Sequence, residues 1–165
     1  TAITLDAEFE AAPGLMITAF SVPGKVALFL EDEGALDLKA VGEQTVGLIL
    51  KGPTGKVAYI PGCAEIPDWL LQRIADVDVL FFDGTVWRDD EMPRSGVGQK
   101  TGARMGHISI DGPDGSLARL AGVTTRKILI HLNNTNPVLQ PDSPERHTVE
   151  QAGWSVAYDG MQIDV

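Results

Sequence analysis

The strongest constraint on the fold is a pair of short apolar segments, each of which runs directly into a polar cluster. Val77–Phe82 is followed by Asp83 and Gly84, and Lys127–His131 is followed by Asn133 and further asparagines. Such segments are typical of central strands that are buried on both faces of a sheet. Because side chains just beyond a buried strand are held rigidly at one edge of the sheet, we expect the chemistry of this chain there.

The rest of the chain shows strand patterns first and alternating strand and helix patterns later. Strands are expected around a turn at Pro13-Gly14 within Glu8–Phe20, at Val26–Glu31, in a hairpin of Thr45–Leu50 and Lys56–Ile60, and at Trp154–Tyr158. Helices are expected over Pro67–Ile74, Ser116–Ala121 and Pro144–Ala152, the last with Ser143 as its N-cap. Loops are expected over Ser21–Lys25, Glu31–Val41 and residues 84–106. This order predicts an α/β protein in which helices pack outside a mixed sheet.

Composition bounds the size and the surroundings of this fold. The 165 residues are 44% hydrophobic, which suits one ordinary domain, so residues 1–165 are expected to form a single structural unit. Thirteen basic residues face 23 acidic ones, and the net charge of −10 disfavours nucleic acid and anionic membrane surfaces as partners. The single cysteine, the short apolar stretches and an N-terminus without signal-peptide features favour the cytoplasm.

Three residues of the types that bind metals or transfer protons follow separate segments of the sequence. They are Asp83, His107 at the end of Arg104–His107, and His131. Imidazole is a common metal ligand and a general base near neutral pH, so the three resemble part of a metal centre. Each also has a structural interpretation, because Asp-Gly is a turn signal and a histidine near an apolar strand often makes only structural hydrogen bonds. No His-x-His or His-x₃-His chelate is present, so the residues alone specify a metal weakly.

Other reactive side chains have simpler interpretations. His147 lies in a predicted helix without polar company and is expected on the surface, and Cys63 is expected to be a small buried apolar residue. The acidic triplet Asp89–Glu91 is interpreted as a solvated loop in preference to a cation site. Lys100 and Arg104 either pair with carboxylates of a substrate or balance the acidic triplet.

Five segments carry an unusual combination of polar residues: Phe82–Met92, Lys100–His107, His131–Pro137, Asp142–Arg146 and Ala157–Met161. Together they resemble the PqqB family, metallo-β-lactamase-fold proteins of pyrroloquinoline quinone (PQQ) biosynthesis. The resemblance runs from about residue 20 to the C-terminus, and its most specific part is Asp-Gly-Thr-x-Trp followed by His-x-Asn-Asn-Thr-Asn-Pro. It implies the C-terminal half of a metallo-β-lactamase-like αββα sandwich.

The resemblance also implies a partner. In the family, the N-terminal half carries a cysteine-rich structural zinc site and the Asp/His-rich metal-binding loop, and neither occurs in this chain. Half a sandwich exposes an apolar sheet face, which proteins in solution avoid. We therefore expect the N-terminal half of the same protein as a tight partner, with a homodimer as a further possibility.

The resemblance assigns roles to individual residues. His131 occupies the place of a metal-binding histidine in related hydrolases, and Gly62 stands where those hydrolases carry a bridging aspartate, which implies a mononuclear centre. Asp83 and His107 match positions near the active site and are the implied catalytic residues, as acid, base or substrate contact. The residues assigned to substrate binding are Arg104, Lys100, Asn133 and Asn134.

The activity implied by the family is hydroxylation that depends on iron and O₂. The substrate is a crosslinked Glu-Tyr diamino acid whose tyrosine ring gains oxygen, and the metal is expected to be Fe(II), with zinc or another divalent ion as a substitute in the same site. Two other functions remain open. One is a metal-dependent hydrolase of the same superfamily, which the glycine at position 62 disfavours. The other is a carrier that binds finished PQQ without catalysis.

Overall fold

The structure is a computed structural model that describes residues 2–24 and 41–165, without the side chains of residues 42 and 43. Its sheet has seven strands in sequential order. The strands are β1 (Glu8–Ala12), β2 (Leu15–Pro23), β3 (Val41–Lys51), β4 (Lys56–Ile60), β5 (Val79–Asp83), β6 (Arg126–Ile130) and β7 (Trp154–Val156). Strands β1 to β4 pair antiparallel, and β4 to β7 pair parallel. The predicted α/β class with a mixed sheet is confirmed.

Short helices connect the parallel strands. They are α1 (Asp68–Arg73), α2 (Glu91–Arg94), α3 (Gly102–Met105), α4 (Ser116–Arg119) and α5 (Pro144–Gln151), together with a 3₁₀ turn at Pro137–Leu139. At α5, the hydroxyl of Ser143 accepts the Arg146 N–H at 3.0 Å, and Pro144 occupies the first turn. These local signals predicted the start of the helix correctly. Among the described residues, no helix is long and apolar enough to cross a membrane.

Most predicted strands are present, but several boundaries differ. Residues Ser21–Pro23 were predicted as a loop, and that prediction is wrong because they continue β2. A register shift separates Ser21 from Pro23, and a proline is tolerated at such an irregularity because no regular ladder N–H is required there. Strand β7 ends at Val156, two residues earlier than predicted. The predicted strand Val26–Glu31 and the predicted loop up to Val41 fall almost entirely outside the described residues.

The segment 84–106 is also more regular than predicted. It is not one continuous loop, since α2 and α3 lie within it. The hydroxyl of Thr101 accepts the Arg104 N–H at 3.2 Å and caps α3, and Gly106 ends that helix with a φ of 86°. A left-handed residue after a helix is the usual place for glycine. These two helices are four residues long, which is too short for apolar periodicity to reveal them.

The sheet has two faces that differ in their cover. The covered face consists of Phe20, Val22, Ile49, Ala58, Ile60, Leu80, Phe82 and Leu129, which pack in one core with Leu70 of α1 and Val149 of α5. The second face includes the alternate residues Val46, Leu48, Tyr59 and Phe81. Leu48 pairs with Tyr59, and Tyr59 pairs with Phe81, so their side chains share a face. Tyr59 is 40% exposed and Val46 37% exposed.

The parallel pairing of β5 with β6 positions the functional residues. Asp83 is the last residue of β5 and pairs with Ile130, the last residue of β6. His131 therefore emerges at the same edge of the sheet as Asp83. The Gly84 N–H donates to the Ile130 carbonyl at 2.8 Å, and the Asn133 N–H donates to the Thr85 carbonyl at 3.0 Å. The two chain segments leave the sheet side by side.

Candidate metal centre

Three side chains from separate parts of the chain converge at this edge. Asp83 ends β5, His131 follows β6, and His107 follows α3. One potential ligand atom from each lies within 4.8 Å of the other two. The ring centroids of His107 and His131 are 5.2 Å apart, with 33° between the ring planes. The sequence motifs pointed to these three residues separately, and the fold brings them together.

The carboxylate of Asp83 is fully buried and fully hydrogen-bonded. Its Oδ2 accepts the Cys63 N–H at 2.9 Å and lies 2.8 Å from Nδ1 of His107. Its Oδ1 accepts the N–H and the hydroxyl of Thr85, at 3.1 Å and 2.6 Å. An ionised carboxylate has about four lone-pair sites, and these contacts use all of them. Asp83 thus orients His107 and closes a turn at Thr85, which agrees with both interpretations of its Asp-Gly motif.

His131 combines an exposed side chain with an unusual backbone. Its side chain is 54% exposed, and its Nδ1 lies 2.8 Å from the Thr85 hydroxyl and 4.0 Å from Asp83 Oδ1. Its φ is 56°, in the left-handed region that non-glycine residues rarely adopt. That conformation costs roughly 1–2 kcal/mol for a residue with a Cβ. Strain of this kind at a strand end is frequent at functional sites.

His107 lies deeper than His131 and next to position 62. Its side chain is 16% exposed, and its own N–H donates to the Gly102 carbonyl at 2.9 Å. A Cβ at Gly62 would lie 3.6 Å from Cε1 of His107, so position 62 borders this ring. An aspartate at position 62 would therefore face the site. With glycine there, the described residues contribute no second carboxylate at this point.

The donor set suits a divalent metal ion. Imidazole nitrogen and carboxylate oxygen are ligands that zinc and iron accept. In both histidines it is Nδ1 that contacts Asp83 or Thr85, and Nε2 makes no hydrogen bond to the described part of the chain. His131 is the more accessible of the two rings. These residues fit a metal held through Nε2 of His131, with further ligands supplied from outside this cluster.

The predicted substrate-binding residues flank the two histidines. Arg104 is half-buried in α3, just before His107, and Lys100 is exposed in the segment that leads into that helix. Asn134 is exposed just beyond His131, and the Asn133 amide donates to the Thr135 hydroxyl at 2.7 Å. Of these residues, Asn133 is tied to the cluster directly, since its N–H donates to the Thr85 carbonyl at 3.0 Å. Their roles in binding stay predictions.

A cavity of about 760 Å³ lies beside the cluster. His107 and Ala103 form part of its wall, which also contains one guanidinium, that of Arg119, 3.2 Å from Asp68. The acidic residues of the wall outnumber it and are Glu65, Asp68, Asp89, Asp111 and Asp114. Such a wall suits amino groups of a bound molecule better than its carboxylates.

Sequence reasoning missed the roles of two polar residues. Thr85 contacts all three members of the cluster through its hydroxyl. Glu91 was assigned to a solvated loop, and that assignment is wrong, because Glu91 is 5% exposed. Its carboxylate accepts the Trp87 N–H at 2.6 Å and the Thr135 hydroxyl at 2.5 Å, and so joins α2 to the asparagine-rich loop. Its spacing of four residues from Trp87 was the only local signal.

Two simpler predictions are confirmed. Cys63 is buried, and burial, followed by the charge of Asp83, raises the pKa of its thiol well above the ordinary value. A thiol in that state is a poor nucleophile at neutral pH. His147 is exposed on α5 and is not a member of the cluster.

Comparison with known proteins identifies the superfamily to which this chain belongs. Residues 1–132 match the family model of the beta-lactamase superfamily domain, and the chain belongs to this superfamily. Within it, the chain is 54% identical over 164 residues to "Coenzyme PQQ synthesis protein B" of Methylorubrum populi, covering 99% of this chain and 54% of that protein. It is 53% identical over 161 residues to the protein of the same name from Ruegeria pomeroyi, covering 98% of this chain and 54% of that protein.

A solved structure supports the same relationship. The chain matches the crystal structure of Zn(2+)-bound PqqB from Methylobacterium extorquens with a TM-score of 0.94 and 52% sequence identity. The match covers 99% of this chain and 55% of that protein. The resemblance drawn from the sequence motifs is confirmed. The chain spans about half the length of the relatives it matches.

Proposed function

We propose that this chain supplies one wall of a divalent-metal centre that acts in PQQ biosynthesis. The observation that carries the proposal is the convergence of His131, His107 and Asp83 at the carboxyl edge of the parallel strands. The identity of more than half of the residues to PQQ synthesis protein B, and the zinc in the related crystal structure, support it. We further propose a cytoplasmic location, since a single reduced cysteine suits a reducing compartment.

His131 is the metal ligand in this proposal, through Nε2. The remaining ligands come from the half of the domain that the relatives have in addition. That half is the proposed partner, and the second face of the sheet, with the exposed Tyr59 and Val46, is the surface on which it packs. A two-layer arrangement of this kind buries the apolar side chains that the described residues leave half-open.

The finer proposal concerns the reaction. We propose that the metal is Fe(II) and that the substrate is a crosslinked Glu-Tyr diamino acid whose tyrosine ring is hydroxylated. Fe(II) with open coordination positions supplies activation of O₂ when it is bound. His107 then accepts the phenolic proton at Nε2, and the Asp83 carboxylate 2.8 Å from Nδ1 stabilises the imidazolium that forms. Loss of that proton makes the ring more electron-rich.

Substrate orientation is assigned to the residues around the cluster. Lys100 and Arg104 pair with substrate carboxylates, and the amides of Asn133 and Asn134 hydrogen-bond to its polar groups. The acidic wall of the cavity beside His107 accommodates the amino groups of a diamino acid. Opposite charges at the two ends would fix the direction in which the substrate binds.

The first test is metal affinity in the full chain together with the proposed partner half. His131→Ala should weaken Fe(II) binding at least tenfold, measured by calorimetry under anaerobic conditions. His147→Ala is the matched control, because that histidine is exposed on α5 and lies outside the cluster. Equal affinity in the wild type and His131→Ala would contradict the ligand assignment.

A second test separates the three candidate reactions. Oxygen uptake with oxygen incorporation into the tyrosine ring, abolished without Fe(II), is the expected result. Turnover of a generic phosphodiester without O₂ would replace the proposal by a hydrolase, although Gly62 disfavours that outcome. Tight binding of PQQ without metal or turnover would replace it by a carrier.

A further inference from the structure

The hydroxyl of Thr85 occupies the centre of the cluster. Its Oγ1 lies 2.6 Å from Asp83 Oδ1, 2.8 Å from His131 Nδ1 and 3.1 Å from His107 Nδ1. It also lies 3.0 Å from the carbonyl oxygen of His131. A hydroxyl has one proton to donate and two lone pairs that accept. Thr85 therefore donates to one of these neighbours only.

The neighbours determine where that proton goes. Both oxygens of Asp83 accept a backbone N–H, from Cys63 and from Thr85, and an ionised carboxylate only accepts hydrogen bonds. A separation of 2.6 Å is typical of a hydroxyl that donates to a carboxylate. The alternative recipient, the His131 carbonyl, is also an oxygen that only accepts. In either case neither ring nitrogen receives the hydroxyl proton.

Both imidazoles must then donate from Nδ1. For His131, the Thr85 hydroxyl is the single hydrogen-bond partner of Nδ1 among the described residues, since Asp83 Oδ1 is 4.0 Å away. For His107, Asp83 Oδ2 at 2.8 Å is a second acceptor beside Thr85. A neutral imidazole with a proton on Nδ1 has its lone pair on Nε2.

We propose that Thr85 is a positioning residue that holds His131 in the Nδ1–H tautomer and thereby presents Nε2 of His131 to a metal. Asp83 holds His107 in the same tautomer, with Thr85 as an accessory acceptor. A ligating histidine commonly donates its other N–H to a neighbouring acceptor, which fixes the ring orientation. The tautomer depends on these hydrogen bonds alone, whereas its use for metal binding rests on the proposed function.

The two histidines should respond differently when the hydroxyl is removed. Thr85→Val keeps the branched shape of this buried side chain and deletes the acceptor, while Thr85→Ser keeps the hydroxyl. In the full chain freed of metal, at about pH 8, where an ordinary imidazole is neutral, nitrogen-15 spectra of the side chains report each tautomer. We expect Nδ1–H at both His107 and His131 in the wild type and in Thr85→Ser.

In Thr85→Val we expect His131 to change to mainly the Nε2–H form, while His107 keeps Nδ1–H through Asp83. His147, which is exposed on α5, serves as the internal reference, and an unchanged His107 signal shows that the variant is folded. A wild-type His131 with its proton on Nε2, or a His131 that keeps Nδ1–H in Thr85→Val, would overturn the inference.

Metal affinity gives a separate readout. If Thr85→Val changes the His131 tautomer and also weakens Fe(II) or Zn(II) binding by about tenfold, both the inference and the ligand role of His131 are supported. If the tautomer changes and the affinity does not, Thr85 is still the positioning residue, and it is the metal-binding role in the proposed function that fails.

Discussion

The two faces of the sheet differ in how their apolar side chains are covered. On β5, Phe82 points to the covered face and is fully buried, whereas its neighbour Phe81 points to the second face and is half-buried. The helices of this chain cover the first face, with Leu70 and Val149 in the same core as Phe82. From Val79 to Phe82, both faces of β5 are nevertheless apolar. This composition is typical of a strand that is buried on both faces. The described residues bury only the face of Phe82 completely.

The second face is not uniform. Val79 and Ile128 lie on it and are buried, while Tyr59 is 40% exposed. Asp83 lies two residues after Phe81 and therefore on the same face. It is nevertheless fully buried, at the edge of the sheet, where its carboxylate is hydrogen-bonded. On the second face, Asp83 at the cluster is thus buried and hydrogen-bonded, whereas the apolar side chains on β3 and β4 are partly exposed. The exposed apolar surface around Tyr59 therefore lies beside the candidate metal centre, because Tyr59 pairs with Phe81, two residues before Asp83. A second layer packed on this face would cover that surface and border the metal centre.

The largest expected effect compares the two adjacent phenylalanines. Phe82→Ala should lower the free energy of unfolding by about 3–5 kcal/mol, because it leaves a cavity in a closed core. Phe81→Ala should cost less, about 1–2 kcal/mol, since that ring is partly exposed and its loss leaves no closed cavity. Urea unfolding with an unchanged slope measures both. Equal costs for the two variants would show that the faces are equally covered. A larger Phe81 cost in the presence of the proposed partner half would show that this half covers the second face.

The next prediction concerns the buried hydrogen bonds of Asp83 on the second face. Asp83→Asn keeps the shape of the side chain but replaces an acceptor oxygen by a donor opposite Cys63, Thr85 or His107. Leaving a buried donor without a partner costs about 1–3 kcal/mol, to be measured by thermal and urea unfolding.

The matched control for that variant is Asp89→Asn. Asp89 is exposed and accepts the Ala103 N–H through Oδ1, which an asparagine oxygen can also do. We expect its effect to stay within about 0.5 kcal/mol. A result in which both substitutions cost the same would remove the distinction between the buried edge and the exposed surface.

A smaller effect concerns the half-open part of the second face. Tyr59→Glu should change the stability of the isolated chain little, but weaken association with the proposed partner half at least tenfold, about 1.4 kcal/mol. Trp69→Glu on α1 is the control, because Trp69 is 41% exposed and Tyr59 40%. Titration of one half with the other, followed by native mass spectrometry, measures the association. Loss of self-association in Tyr59→Glu, with no binding of the partner half, would identify a second copy of the chain as the occupant.

The smallest effect lies on neither face. The pKa of Asp76 is held below its usual value, mainly by the hydrogen bond from Lys56 Nζ at 2.7 Å. Because the folded-state pKa is lowered, the pair stabilises the fold above the ordinary carboxyl pKa, and the contribution is lost as the pH falls through the lowered value. Asp76→Asn should cost at most about 0.5 kcal/mol at neutral pH, since Asp76 is exposed. The difference from the wild type should shrink below about pH 4, and a difference that grows on acidification would contradict this account.

Local sequence signals predicted the parts of the fold that depend on neighbouring residues. The hairpin around Gly52–Gly55 and the start of α5 at Ser143 follow from turn and cap chemistry within a few positions. The site residues Asp83 and His131 were found because the first ends an apolar strand and the second directly follows one. The predictions that were wrong concern residues whose environment is set by contacts with residues far away in the sequence. Glu91 is buried because Thr135, far along the chain, donates to it.

The role of Thr85 was hidden for the same reason. Its motif Asp-Gly-Thr is compatible with an ordinary turn, and the contacts to His107 and His131 span 22 and 46 positions of sequence. No periodicity or spacing within the chain encodes a contact of that range. The family resemblance implied His131 as a metal ligand from its motif, but the hydrogen bonds around its Nδ1 became visible only in the fold.

The left-handed backbone of His131 sets two requirements against each other. Glycine would adopt a φ of 56° without a steric penalty, so the position favours a residue that has no side chain at all. The candidate metal centre requires an imidazole there. Substitutions selected only for a more stable chain would therefore drift toward glycine at position 131 and lose the ligand. A screen that rewards thermal stability should list this position among its gains, while a screen for metal binding should reject the same change.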